Sequence, residues 1–106
     1  RKADPAGALP YAERAMRLTG GRSPAIADTL AWVQHLLGRN REAADILARI
    51  VKAEPSQATY RLHYASALAA LGRLKEAGAE LNEAVRLDAA LEASDEVKAL
   101  RAKIGR

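Results

Sequence analysis

The sequence predicts an all-α fold of about six helices that stack as antiparallel pairs. Residues 24–57 repeat as residues 58–91, and apolar residues recur in both copies at helical spacing. A period of 34 residues is typical of helix-turn-helix units that bury their apolar faces by stacking. The residues of the first copy that recur unchanged in the second are Ala31, Leu37, Gly38, Arg39, Glu42, Ala43, Leu47 and Val51.

The composition predicts one helical domain over residues 1–106. Of its residues 49% are hydrophobic, chiefly Ala and Leu, which suits closely packed helices. No run approaches the roughly 20 apolar residues that cross a bilayer, so we expect no membrane insertion. The chain opens at Arg1 without Met, and we expect it to be part of a longer protein. It has no cysteine, and so the cytoplasm and a bacterial periplasm or cell envelope stay equally compatible.

The basic charge of the chain does not predict nucleic-acid binding. The net charge is +4, but Lys and Arg are spread along the chain, and many have Asp or Glu within four residues. Nucleic-acid binding needs a cluster or stripe of basic residues. Solvated helix faces explain the spread charges.

Helix boundaries follow from residues that start and stop helices. Ser23, Asn40 and Ser94 are predicted N-caps, because their side chains can accept a hydrogen bond from a free backbone amide. Pro55 ends a helix. The second copy has Ala89 in its place, so the helix before Ala89 is expected to overrun. The predicted helices after the N-terminal one span residues 24–37, 41–54, 58–71, 75–88 and 95–103.

The N-terminal segment predicts only the second helix of a repeat. Asp4 is a predicted cap, and Pro10 is predicted to delay or kink the start. A repeat that lacks its first helix leaves apolar residues uncovered, so this helix is expected to be the least stable part or a site of homodimerisation. The predicted units are a half repeat, two full repeats and a capping helix, at residues 1–22, 23–57, 58–91 and 92–106.

The chain resembles the tetratricopeptide repeat family. The family has apolar residues at repeat positions 7, 24 and 27 and small residues at positions 8 and 20. The first repeat supplies Leu30, Ala31, Ala43, Leu47 and Ile50, and the second supplies Tyr64, Ala65, Ala77, Leu81 and Ala84. The resemblance implies a right-handed superhelical stack of helix pairs. Residues 27–33 are also weakly similar to C-terminal repeats of bacterial tetratricopeptide proteins associated with exopolysaccharide export.

The sequence predicts no enzyme, cofactor or metal site. The candidate groups for catalysis are His35, His63, Asp28, Asp45 and scattered Glu, and no two have the spacing of a metal site. No glycine-rich phosphate loop and no nucleophile elbow are present. We therefore predict no catalytic residue, no cofactor-binding residue and no metal ligand.

The resemblance implies a peptide groove on the concave side of the stack. Trp32 is the only tryptophan, and it is either an anchor for a partner's side chain or a packing residue between helices. The groove positions lack the Lys and Asn that bind a C-terminal carboxylate in some members of the family. They are mostly apolar or small and include one acid, Asp28, so an extended or helical segment with apolar and basic groups is expected. The predicted groove residues are Asp28, Trp32, His35, Leu36, Thr59, Leu62 and Ser66.

Two functions remain open from the sequence. The first is an interaction module that binds a peptide or helix of a partner protein in its groove. The second is a structural end piece, in which the last helix turns Val97, Leu100 and Ile104 inward and seals a longer repeat array, or in which the domain associates with itself. An accessible Trp32 favours the first function, and a buried Trp32 favours the second.

Overall fold

The predicted all-helical fold is confirmed by a computed structural model, which describes residues 4–105. Within that range there are six α-helices, one 3-10 helix and no strand. None of these helices is both long and apolar enough to cross a bilayer. The α-helices are α1 (Pro5–Thr19), α2 (Pro24–Leu36), α3 (Asn40–Ala53), α4 (Ala58–Ala70), α5 (Leu74–Leu87) and α6 (Asp95–Ile104), and the 3-10 helix is Ala89–Ala93.

Two of the predicted N-caps are confirmed. The Ser23 hydroxyl accepts a hydrogen bond from the Ile26 amide at 3.3 Å, and the Ser94 hydroxyl accepts one from the Val97 amide at 3.1 Å. Each bond satisfies one of the amides that the first turn of a helix leaves free. Both α2 and α6 therefore begin where the sequence indicates.

The other predicted starts differ from the structure. Asn40 does not cap α3, because it is the first residue of that helix and its side chain instead contacts His35. Asp4 precedes α1 but makes no side-chain capping bond. Pro10 is exposed and lies inside α1, which begins at Pro5, so Pro10 does not delay the helix.

The predicted overrun of α5 into Ala89 is wrong. The helix ends at Leu87, and Asp88 has an extended backbone. The Asp88 carboxylate accepts a hydrogen bond from the Ala90 amide at 3.2 Å and so starts the 3-10 helix. A capping carboxylate thus ends α5, although no proline follows it.

The helices form two layers. Each helix packs against the next along the chain, and α4 also contacts α2 and α6. The helices α2, α4 and α6 therefore lie side by side in one layer. Tyr64 of α4 packs against both hydrophobic clusters of the core, one chiefly within α1–α3 and the other within α4–α6. The small residues at the repeat positions, Ala31, Ala43, Ala65 and Ala77, have no exposed surface.

Candidate functional site

A cleft of about 320 Å³ crosses the layer formed by α2, α4 and α6. One wall comes from α2 and the other from α6, and Ser66 of α4 lies between them. Most of the surface in the cleft is apolar. The residues that line it are Trp32, His35, Ser66, Glu96, Ala99, Leu100 and Lys103.

Trp32 is partly buried and packs against two histidine rings. Its ring is stacked on that of His63 from α4, with centroids 4.2 Å apart and an interplanar angle of 24°. The ring of His35, one turn further along α2, lies at 4.9 Å with a tilt of 39°. Trp32 thus packs between helices and also borders the cleft, so its two predicted roles do not exclude each other.

His63 is held in place by Asp28. The Nδ1 atom of His63 and the Oδ1 atom of Asp28 are 2.8 Å apart, and the bond joins α4 to α2. An ionised carboxylate can only accept, so Nδ1–H donates this bond. Burial, followed by the charge of Asp28, raises the pKa of Tyr60 on the same side of α4. Asp28 is thus already engaged, and it positions the ring beneath Trp32.

His35 is fixed by the turn that follows α2. Its Nδ1 atom lies 2.5 Å from the Oδ1 atom of Asn40, and the Asn40 amide group donates to the Gly38 carbonyl at 3.5 Å. An amide oxygen accepts, so Nδ1–H is again the donor. The contact explains why Asn40 does not cap its own helix, and it restrains the aromatic wall of the cleft.

The remaining predicted groove residues do not all lie together. Leu36 and Thr59 are exposed but do not line the cleft. Leu62 is only 3% exposed and belongs to the core cluster that also contains Val97 and Leu100 of α6, so it does not line the cleft. Ser66 does line the cleft, and its hydroxyl donates to the Leu62 carbonyl at 3.1 Å.

The wall formed by α6 was missed at the sequence level. Of its four residues, Leu100 was predicted to turn inward as part of a seal, and no binding role was predicted for Glu96, Ala99 or Lys103. The four follow one another at spacings of three, one and three residues, which places them along one stripe of a helix. The spacing could have shown that the four residues share one face of α6, but not that this face borders a cleft.

The position of α6 is fixed by burial and by an ion pair. Val97 has no exposed surface, and Leu100 is 7% exposed. The Arg101 guanidinium donates two hydrogen bonds of 2.8 Å to the Glu92 carboxylate in the 3-10 helix. These bonds lower the pKa of Glu92 and raise that of Arg101. Buried apolar side chains and a charge-assisted pair of hydrogen bonds thus hold α6 against the rest of the domain.

A second pocket, of about 290 Å³, lies between α1 and α2. Its lining carries no ionisable side chain except Tyr11, which is 76% exposed. The same helix exposes Leu18 to the same extent. The residues of this pocket, which we call the α1–α2 pocket, are Ala8, Tyr11, Ala12, Ala15, Ile26, Thr29 and Val33.

The family of the chain follows from a comparison with family models. A model described as "Tetratricopeptide repeat" matches residues 38–104, from the turn before α3 to the last residue of α6. The match covers more than half of the chain. This chain belongs to the tetratricopeptide repeat family. Repeats of this family generally mediate protein–protein interaction and are typically non-enzymatic.

Two further searches gave no relatives. Neither the search of curated proteins nor the search of solved structures found a match. The narrower similarity to repeats associated with exopolysaccharide export stays a prediction. The family and the cleft therefore carry the argument for the function of this tetratricopeptide repeat domain.

Proposed function

We propose that this tetratricopeptide repeat domain is a non-enzymatic module that binds a peptide or helix of a partner protein in the cleft between α2 and α6. The observation that carries the proposal is Trp32, which borders the cleft while its ring is stacked on His63. A large aromatic side chain in a restrained position is the commonest anchor of protein interfaces. Little conformational entropy is lost when such a residue binds.

The cleft has the size and chemistry of a site for side chains. At about 320 Å³ it falls at the lower end of the usual range of ligand pockets, roughly 300 to 1,000 Å³. The lining contains one lysine, Lys103, and no arginine, whereas nucleic acid needs several cations along its phosphates. A protein segment with apolar side chains is therefore the better ligand.

The two histidines beside the cleft already have structural partners. His63 is bonded to Asp28, and His35 to Asn40. Both contacts orient an aromatic ring rather than a nucleophile. This use of the histidines supports the non-enzymatic role.

A peptide-library selection on the purified domain tests the proposal. Peptides that bind the wild type are measured against Trp32→Ala and against Tyr11→Ala, which removes an exposed aromatic residue of the other pocket. We expect Trp32→Ala to weaken binding by about 2 kcal/mol, or about 30-fold, because the anchor is lost. Tyr11→Ala should leave the affinity unchanged.

Thermal melts separate lost contacts from lost folding. The comparison uses only temperatures at which both variants are folded. If Trp32→Ala keeps its fold and its affinity, or if Tyr11→Ala is the variant that loses binding, the cleft is not the binding site.

The α1–α2 pocket favours a second candidate function, self-association. Tyr11, which lines this pocket, and Leu18 of the same helix are each 76% exposed, and exposed apolar patches are typical of interfaces. Sedimentation equilibrium of Tyr11→Ser and of Leu74→Ser, a control at an exposed leucine of α5, tests this candidate. We expect a wild-type dimer that Tyr11→Ser alone dissociates. A monomeric wild type at high concentration would contradict it.

A further inference from the structure

The α6 wall of the cleft carries opposite charges at its two ends. Glu96 and Lys103 both line the cleft and lie seven residues apart. Seven residues are two helical turns, or about 10.5 Å along the axis. Ala99 and Leu100 line the cleft between them. The wall thus presents an acid, an apolar centre and a base along one stripe.

Both charged side chains of this wall are available to a partner. They are exposed, and none of the ion pairs formed within residues 4–105 includes Glu96 or Lys103. Arg101 on the same helix differs, because it is bonded to Glu92. The structural ion pair of α6 therefore involves neither of the two charged residues that line the cleft.

The opposite wall adds no carboxylate, lysine or arginine to the lining. There the cleft is bordered by Trp32 and His35, and Ser66 lies between the walls. None of the three is a carboxylate, a lysine or an arginine. A ligand in the cleft therefore meets the charges of Glu96 and Lys103 against a mostly apolar background, where charge complementarity selects between ligands.

We propose that the cleft selects an amphipathic partner helix that lies antiparallel to α6 and has a set charge order. The helix presents an acidic residue to Lys103, an apolar residue to Trp32 and Leu100 three or four positions later, and a basic residue to Glu96 seven positions after the acid. This inference rests on the proposed function and specifies its ligand. In this direction the acid lies nearer the N-terminus of the partner helix and the base nearer its C-terminus, which suits the helix dipole.

The spacing of the charges favours a helix over an extended segment. A helix repeats the period of α6, so residues at i, i+3 or i+4, and i+7 meet all three features of the wall. Residues on one face of a strand are about 6.6 Å or 13 Å apart, because the rise is about 3.3 Å and alternate residues point away. Neither distance matches the 10.5 Å or so between Glu96 and Lys103.

Three short synthetic helical peptides test this inference against the purified domain. One has Glu, Leu and Lys in the proposed order, one has Glu and Lys exchanged, and one has Gln at both positions. The peptides contain no Trp, so the fluorescence of Trp32 reports binding. We expect the proposed order to bind about 10-fold more tightly than the exchanged order. In the antiparallel direction the exchanged peptide has two repulsive contacts in place of two attractive ones, and in the parallel direction its base lies at its own N-terminus, which opposes the helix dipole.

Charge reversal in the domain should reverse this preference. The double variant Glu96→Lys, Lys103→Glu should bind the exchanged peptide more tightly. The control is Lys98→Glu, compared with Lys103→Glu: the substitution is the same and both lysines are exposed on α6, but Lys98 does not line the cleft. Lys98→Glu should keep the wild-type preference. In about 1 M salt the preference should shrink, because exposed charges are screened.

The outcomes separate this inference from the proposed function. If the wild type binds all three peptides equally and Trp32→Ala loses them, the cleft binds helices without charge selection and the inference is overturned. It is also overturned if no peptide binds, while the library selection still decides the proposed function. A proline-containing, extended peptide of the same composition that binds as tightly would overturn the requirement for a helix.

Discussion

The two end helices of the described chain differ in how much of their apolar surface is buried. In α6, Val97 and Leu100 are buried, and Ser94 caps the first turn. In α1, Ala12 is the buried residue, and Tyr11 and Leu18 are largely exposed. A stack of helices thus offers different surfaces at its two ends. The α6 end supplies a charged wall of the cleft, and the α1 end supplies an uncharged apolar pocket.

The largest expected difference between the ends concerns leucine truncation. Leu100→Ala should lower the free energy of unfolding by about 2 to 5 kcal/mol, because it removes buried methyl groups and leaves a cavity. Leu18→Ala, the same change at an exposed site, should cost less than about 0.5 kcal/mol. Urea unfolding measures both. Equal losses would mean that α1 is as firmly packed as α6.

Replacing an alanine with leucine should destabilise the fold in α5 but not in α1. Ala77→Leu should destabilise by about 1 to 3 kcal/mol, since Ala77 has no exposed surface and the added methyl groups have no room. Ala8 lies 35 residues before Ala43, which is the counterpart of Ala77 in the first repeat. Unlike Ala77, Ala8 lines the α1–α2 pocket. Ala8→Leu should therefore change the melting temperature little. The exposed Ala79 of α5 provides a control, and if Ala79→Leu costs as much as Ala77→Leu, the packing argument fails.

Capping should contribute more to α6 than to α1. Ser94→Ala removes the acceptor for the Val97 amide and should cost about 1 kcal/mol. Asp4 makes no side-chain capping bond, so Asp4→Ala should cost less. Thermal melts of the two variants give the difference. A larger loss for Asp4→Ala would reverse the order of the two ends.

The smallest expected effect is the pH dependence of the ion pair that supports α6. The Arg101 guanidinium holds the pKa of Glu92 below its ordinary value of 4.5. A lowered pKa in the folded state stabilises the fold above that ordinary value, and the contribution is lost as the pH falls through the lowered pKa. Glu92→Gln should therefore be less stable than the wild type at neutral pH.

The same ion pair should lose its effect in acid. As the pH falls through the lowered pKa of Glu92, the wild type and Glu92→Gln should approach each other in stability, because the wild-type carboxylate becomes protonated. Glu13→Gln, a change in α1, provides the control, since none of the ion pairs within residues 4–105 includes Glu13. A difference for Glu92→Gln that persists unchanged in acid would show that the charge is not its cause.

The sequence predicted the helices well because their signals are local. The caps Ser23 and Ser94, and the glycines Gly38 and Gly72 that follow α2 and α4 with positive φ, each act within a few residues. Asn40 was misjudged because a side chain five residues earlier competes for its oxygen. The overrun into Ala89 was wrong because the carboxylate of Asp88 replaces the missing proline.

The cleft was only partly predictable because it depends on contacts between distant residues. Trp32, His35 and Ser66 follow from the family resemblance, and all three line the cleft. The burial of Leu62 and the wall with Lys103 depend on how α6 lies across α4, which no local pattern specifies. The bond between Asp28 and His63 likewise joins residues that lie 35 positions apart.

Hydrogen-exchange mass spectrometry with a peptide selected on the wild-type domain tests directly whether the cleft between α2 and α6 is the binding surface. In the free domain, the amides of α1 should exchange faster than those of α6, because α1 buries less apolar surface. Adding the peptide should protect α2 around Trp32 and α6 from Glu96 to Lys103, and should leave α1 unchanged. Protection confined to α1 and the neighbouring face of α2 would contradict the account and would place the binding surface in the α1–α2 pocket.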